Sequence, residues 1–122
     1  YMDKKILVVD DAMFMRSIIR KILKEAGYTQ VWEAQDGEKA MELFREVSPD
    51  LVLLDITMPG RSGLEVLEEM LGLVPNVRVI MCSAVGQEMM IQKALTIGAS
   101  DFIVKPFKAD EFSRIVNRCL EQ

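Results

Sequence analysis

The chain is 122 residues long, half of them apolar, with 15 basic side chains against 19 acidic ones and no histidine. That is one domain of ordinary size with material for a real core. A net charge of −4 has the wrong sign for direct binding of DNA or RNA and is too small to imply disorder, and the missing histidine excludes His-based metal sites, phosphohistidine on this chain and a Ser-His-Asp triad.

The first apolar run, "ILVV" within Lys5–Val9, reads as a short buried strand, and Asp10 and Asp11 follow it directly. Tyr1 ahead of Met2 reads as an extraneous residue, and Lys4 and Lys5 lead into a strand rather than into a secretion signal. A helix is expected over Ala12–Ala26. Met15, Ile18, Ile19, Ile22, Leu23 and Ala26 form one apolar stripe, with Arg16, Arg20, Lys21 and Lys24 mostly off it. Gly27 follows as the residue that ends the helix.

A second strand is expected at Gln30–Ala34 and a helix at Glu38–Glu46. The third strand, Leu51–Leu54, is apolar on both faces and runs into Asp55. "ITMPG" then precedes a helix at Gly63–Leu71. The fourth strand, Val77–Met81, is apolar apart from Arg78. Ser83, Ala84 and Val85 come after it, then a helix at Gln87–Ile97 with Gly98 beyond. The last pair is a strand at Asp101–Val104, followed by Lys105 and Pro106, and a helix at Ala109–Leu120.

Continuous apolar strands between helices mean a parallel sheet covered on both faces. Right-handed crossovers then put helices on both sides. The chain reads as a single (βα)₅ domain over residues 1–122, with no linker, low-complexity segment or repeat beyond the βα rhythm. Cys82 and Cys119 have no framework spacing and read as reduced thiols of a cytoplasmic protein. No apolar stretch approaches the ~20 residues of a membrane-spanning helix.

In such a sheet, ligands bind outside the carboxyl ends of the strands. Asp10, Asp11, Asp55, Ser83 and Lys105 all fall there. Each has a plain reading alone: a helix cap for an aspartate, a turn for the serine, a solvated charge for the lysine. Together they make a site. Two carboxylates at about 4 Å repel by roughly 4 kcal/mol at an effective dielectric near 20. Clustered carboxylates without histidine or thiolate suit a hard cation, Mg²⁺ above all, which would offset that repulsion. Lys105 and Ser83 opposite the metal point to a phosphoryl group sharing the site. With no glycine loop for a nucleotide, the phosphoryl group belongs on the protein itself, with an aspartate as acceptor.

The segments "ILVVDDAMFMR", "PDLVLLDITMPGRSGLEVL", "VIMCSA" and "GASDFIVKPF" closely resemble the receiver domain of bacterial response regulators, over essentially the whole chain. Within that family the chain is most similar to stand-alone chemotaxis regulators. The resemblance implies a flavodoxin-like sheet of order 2-1-3-4-5. It implies Asp55 as phosphoacceptor, with Mg²⁺ held by Asp11, Asp55 and the Thr57 backbone carbonyl, and by Asp10 through water. Ser83 and the Ala84 amide would hold phosphoryl oxygens, and Lys105 would pair with the phosphate. Phe102 would change rotamer with activation, and the Lys105–Pro106 peptide would be cis. Ser83 stands where threonine is frequent, and Phe102 where tyrosine is frequent. Arg61 stands in the loop after Pro59 where an apolar residue is usual, and would alter access to Asp55 in a direction the resemblance does not give.

The function so implied is a signalling phosphoacceptor, not an enzyme, that assists its own phosphorylation and dephosphorylation. A histidine kinase would supply the phosphate. The output partner would be a flagellar motor switch protein, with no contact to nucleic acid or membrane. A monomer is expected. The alternatives are a receiver cut from a larger regulator, or a small Mg²⁺-dependent phosphohydrolase with an aspartyl intermediate, which usually needs a DxD pair and a cap region that this chain lacks. In the fourth helix, Met90, Ala94 and Ile97 are expected to face the sheet. Ile91 and Leu95 form a second pair, expected to lie partly exposed beside Phe102 and Val104 as a partner face; the alternative is one broad core stripe that uses all five.

Overall fold

Five parallel strands alternate with five helices in a computed structural model that describes residues 3–121, so Tyr1 and Met2 lie outside the described residues. The order is β1 (Lys5–Val9), α1 (Met13–Glu25), β2 (Gln30–Ala34), α2 (Gly37–Val47), β3 (Leu51–Asp55), α3 (Gly63–Leu73), β4 (Arg78–Ala84), α4 (Glu88–Ile97), β5 (Asp101–Lys105) and α5 (Ala109–Leu120). The sheet has the order β2-β1-β3-β4-β5.

Side chains alternate across the pleat, and both faces are buried. Leu7, Val9, Val52, Leu54, Val79 and Met81 pack under α2, α3 and α4 through Met41, Phe44, Leu67, Met70 and Ala94. Ile6, Val8, Leu51, Leu53, Ile80 and Ile103 pack under α1 and α5 through Ile19, Leu23, Phe112 and Val116. This double burial is why β3 reads as unbroken apolar sequence. Phe112, fully buried, contributes about 2–3 kcal/mol relative to exposure.

The α1 stripe packs as its spacing predicts, with Ile19 and Leu23 buried and Met15, Ile22 and Ala26 against them. Gly27, at φ 100°, turns the chain out of α1, and its N–H donates to the Lys24 carbonyl. Ser62 begins α3 by accepting the Glu65 N–H, and Asp36 does the same for α2 with the Lys39 N–H.

Three strands run further than the apolar signal. β4 continues through Cys82 and Ser83 to Ala84, because Ser83 still pairs with Val104 and Ala84 with Lys105. β3 takes in Asp55, opposite Cys82, and β5 takes in Lys105. Polarity ends the periodic pattern before the ladder itself ends. The polar residues are therefore fixed by sheet backbone instead of loop. Both cysteines are free and buried, and burial pushes the Cys82 thiol up to about 12, so it stays protonated and unreactive. Among the described residues, no helix is long and apolar enough to cross a membrane.

Candidate phosphoacceptor and metal site

Parallel strands in register bring their carboxyl ends to one edge. Val9 pairs with Leu54, Asp55 with Cys82, and Ala84 with Lys105. The ladder continues past the strands: the Asp10 N–H donates to Ala34 O at 3.1 Å, and the Ile56 N–H to Cys82 O at 3.0 Å. Asp10, Asp55, Ser83 and Lys105 thus meet although up to 95 residues separate them.

Asp10 and Asp11 have opposite environments. Asp10 is buried, and one of its oxygens accepts the Ala12 N–H at 2.9 Å. Asp11 is exposed. The Lys105 ammonium donates to Asp10 Oδ2 at 2.8 Å and to Asp55 Oδ2 at 3.4 Å. The repulsion among the acids is therefore relieved in part by Lys105, inside the protein, and in part by turning Asp11 toward water.

Burial raises the Asp55 carboxyl above its ordinary range, and Asp10 pushes the same way. Lys105 and the Thr57 N–H, which donates to Asp55 Oδ1 at 3.2 Å, act against it. For Lys105, burial acts to lower the ammonium. The bond to Asp10 and the charges of Asp55 and Asp10 outweigh it, and the net shift is upward. Lys105 is a cation, held between two anions.

Asp10, Asp11 and Asp55 each place a carboxylate oxygen so that all three lie within 4.8 Å of one another. An all-oxygen donor set of this spacing fits a hard divalent cation. The Ser83 hydroxyl is fully buried and has no hydrogen-bond partner among the described residues. An unsatisfied buried hydroxyl costs about 1–3 kcal/mol. Such a group beside an acidic cluster and a lysine is suited to an incoming oxyanion. The Lys105–Pro106 peptide is cis, as the resemblance implies.

Two side chains at the site, Arg16 and Gln87, carried no sequence signal of their role. Arg16 donates to the Asp10 carbonyl at 2.6 Å and to Glu33 at 3.2 Å, bracing the turn that carries the two aspartates. Its place off the α1 stripe marks it only as a polar residue. Gln87 lies ahead of α4. Its side-chain carbonyl accepts the Ala84 N–H, and its amide donates to the Thr57 hydroxyl. Arg61 pairs with Glu69 on α3, which places its charge on that helix.

The expected partner face needs one correction. Ile91 is buried with Ala94, while Met90 and Ile97, partly buried, pack against the same core as expected. The buried stripe of the helix is wider than expected and takes in Ile91, leaving Leu95 at its margin, because spacing alone does not fix the width of the arc that the sheet covers. Leu95 and Phe102 are exposed, Val104 is half-buried, and these three with Ile91 line one cleft of about 330 Å³ between α4 and β5.

A parallel sheet of this order, with an acid cluster, a buried hydroxyl and a lysine at its carboxyl edge, is the architecture of a receiver. The chain belongs to the response regulator receiver domain family, whose family model matches residues 6–117. It is similar to the chemotaxis protein CheY of Bacillus subtilis, at 48% identity over 119 residues, covering 98% of this chain and 99% of that protein. The CheY of Thermotoga maritima is 43% identical over 117 residues, covering 96% and 98%. Among solved structures, the receiver domain of NtrX from Brucella abortus superposes with a TM-score of 0.92 at 37% identity, covering 97% of this chain and 99% of that one.

Proposed function

We propose that residues 1–122 form one receiver domain in which Asp55 accepts a phosphoryl group from a histidine kinase in the presence of Mg²⁺. The observation that carries this reading is the buried Ser83 hydroxyl without a partner, next to the Asp55–Lys105 ion pair. Mg²⁺, bound by Asp11, Asp55 and the Thr57 carbonyl with Asp10 behind them, would neutralise charge on the transferring group. An Asp55 carboxylate oxygen attacks phosphorus, and the P–N bond to the donor imidazole breaks as the O–P bond forms. Lys105 then shifts from Asp55 toward the new phosphoryl oxygens, and Ser83 and the Ala84 N–H receive the others. The chain is an acceptor that helps its own modification and hydrolysis, not an enzyme acting on a separate substrate.

Treatment with acetyl phosphate and Mg²⁺ should add one phosphoryl group by mass spectrometry, and Asp55→Asn should gain none at that site. Equal labelling of both proteins would overturn the assignment.

The names of its relatives, chemotaxis proteins, support a role in chemotaxis. The rest of the reading, a cytoplasmic monomer whose output partner is a flagellar motor switch protein, follows from the resemblance of the motifs and not from those names. The docking face would be the cleft of Leu95, Phe102 and Val104, floored by Ile91. Withdrawal of Ser83 toward the phosphate opens space for Phe102 to turn inward, and this reshapes the face. The phosphate shifts the population only through contacts that differ between the two states. Loaded with beryllofluoride, Leu95→Asp and Phe102→Ala should keep the mimic but lose capture of the switch protein in a pull-down. Full capture by both variants would place the output surface elsewhere.

A further inference from the structure

The two groups of β4 that the proposed function assigns to the phosphoryl oxygens are in opposite conditions. The Ser83 hydroxyl has no partner, whereas the Ala84 N–H is already engaged by Gln87 Oε1 at 2.7 Å. A backbone N–H can only donate, so the Gln87 amide has one possible orientation: carbonyl toward Ala84, NH₂ toward the Thr57 hydroxyl. Thr57 in turn donates its own N–H to Asp55. A continuous chain of hydrogen bonds therefore runs from the Asp55 carboxylate through Thr57 and Gln87 to Ala84. It closes the gap between the end of β3 and the end of β4.

Gln87 is also the residue on which α4 begins, yet its side chain makes no cap to that helix. Its bonding capacity is directed back across the site. A simple brace for the loop after β4 would serve equally well from a bond within the loop. This one reaches 30 residues away to the residue that touches the phosphoacceptor.

We infer that the Gln87 side chain is a built-in competitor for the phosphoryl group, occupying the Ala84 N–H until a phosphoryl oxygen displaces it, and thereby setting the affinity of the site and linking its occupation to the start of α4. This rests on the assignment of Asp55 as phosphoacceptor. One N–H makes one good hydrogen bond, so Gln87 and a phosphoryl oxygen exclude each other there. The exchange breaks both Gln87 bonds together, because the amide cannot leave Ala84 and stay aligned on Thr57. Net hydrogen-bond strengths correspond to about 2- to 10-fold in an equilibrium constant.

The test is calorimetric titration of the full chain with beryllofluoride in Mg²⁺, comparing wild type, Gln87→Ala, Thr57→Val, the double variant and Asp55→Asn. Gln87→Ala should bind about 3- to 10-fold tighter, and Thr57→Val should tighten binding by a smaller factor. The double variant should bind no tighter than Gln87→Ala alone, because the hydroxyl acts only through the amide it holds. A role confined to bracing the loop predicts weaker binding by Gln87→Ala and by Thr57→Val. Unchanged or weakened binding by Gln87→Ala, or full additivity in the double variant, overturns the inference while binding by wild type and not by Asp55→Asn keeps the phosphoacceptor assignment. If Gln87→Ala does not fold, absence of any tightening in Thr57→Val overturns it alone. Wild type that binds no beryllofluoride, or Asp55→Asn that binds it equally, removes both.

Discussion

Lys105→Met should lower the stability of the metal-free protein by about 3 kcal/mol, which for a domain of this size is a fall in melting temperature of about 10 °C. Lys105 is the only cation within bonding distance of the Asp10 and Asp55 carboxylates among the described residues; Arg16 reaches only the Asp10 backbone carbonyl. Methionine keeps most of the stem and removes the charge. The Asp10 carboxylate is then left almost fully buried with only the Ala12 N–H as partner, facing a second carboxylate. Removing one member of a buried ion pair costs about 3–5 kcal/mol, and the 20% exposure of the Lys105 side chain puts this case at the low end.

Two conditions should restore the loss. The first is acid. Asp55 already lies above the ordinary carboxylate range in the folded protein, and loss of Lys105 raises it further. A raised carboxyl takes up its proton in the folded state before the unfolded one does. The variant therefore gains stability relative to wild type as pH falls through that raised value toward the ordinary range. The second is Mg²⁺, which stabilises by mass action, about 2.7 kcal/mol at a hundredfold excess over its dissociation constant. The gain should be larger for Lys105→Met than for wild type and largely absent in Asp11→Ala. A Lys105→Met melting curve that matches wild type without metal would show that Asp10 is compensated by some other group.

Gly63→Ala should be equally damaging for a reason unrelated to charge. A Cβ at Gly63 would lie 2.8 Å from the Ile56 Cα and closer still to the Asp55 carbonyl oxygen. Both obstacles are backbone, so no rotamer change relieves them. The Gly63 N–H donates to the Ile56 carbonyl at 2.8 Å, closing the loop between β3 and α3. To admit a methyl group, the start of α3 must move off the end of β3, breaking that bond and shifting the strand end that carries Asp55. The expected cost is about 2–3 kcal/mol, with slower phosphorylation by acetyl phosphate. Gly72→Ala provides the control. It lies in the same helix with nothing within 4 Å of its would-be Cβ, and it should stabilise by about 0.5–1 kcal/mol. Equal stability of Gly63→Ala and Gly72→Ala would mean that the close approach of α3 to β3 is dispensable.

These two positions differ in how far the sequence disclosed them. Lys105 is visible as a polar residue ending the apolar run Phe102–Val104, because the end of a strand is where polarity returns, even in an edge strand whose Phe102 is exposed. The same logic exposes Asp10, Asp11, Asp55 and Ser83, and the alternation of strand and helix carries the whole layered architecture. Gly63 is one of 7 glycines, and nothing in its neighbours marks the backbone that passes against it.

Local periodicity and strand ends are properties of consecutive residues, so the chain alone determined the five βα units and the edge on which the polar groups gather. Which of two adjacent aspartates is buried, that Lys105 bridges Asp10 and Asp55 across 95 and 50 residues, and that Gln87 reaches Thr57 across 30 were decided by tertiary structure. So was the width of the α4 stripe that buries Ile91 and leaves Leu95 outside. The reason is the same in each case. The parallel register sets which strand ends meet, and packing against a sheet selects one arc of an over-wide apolar helix face. Both are fixed by contacts between residues far apart in the chain, and a pattern of near neighbours carries no information about them.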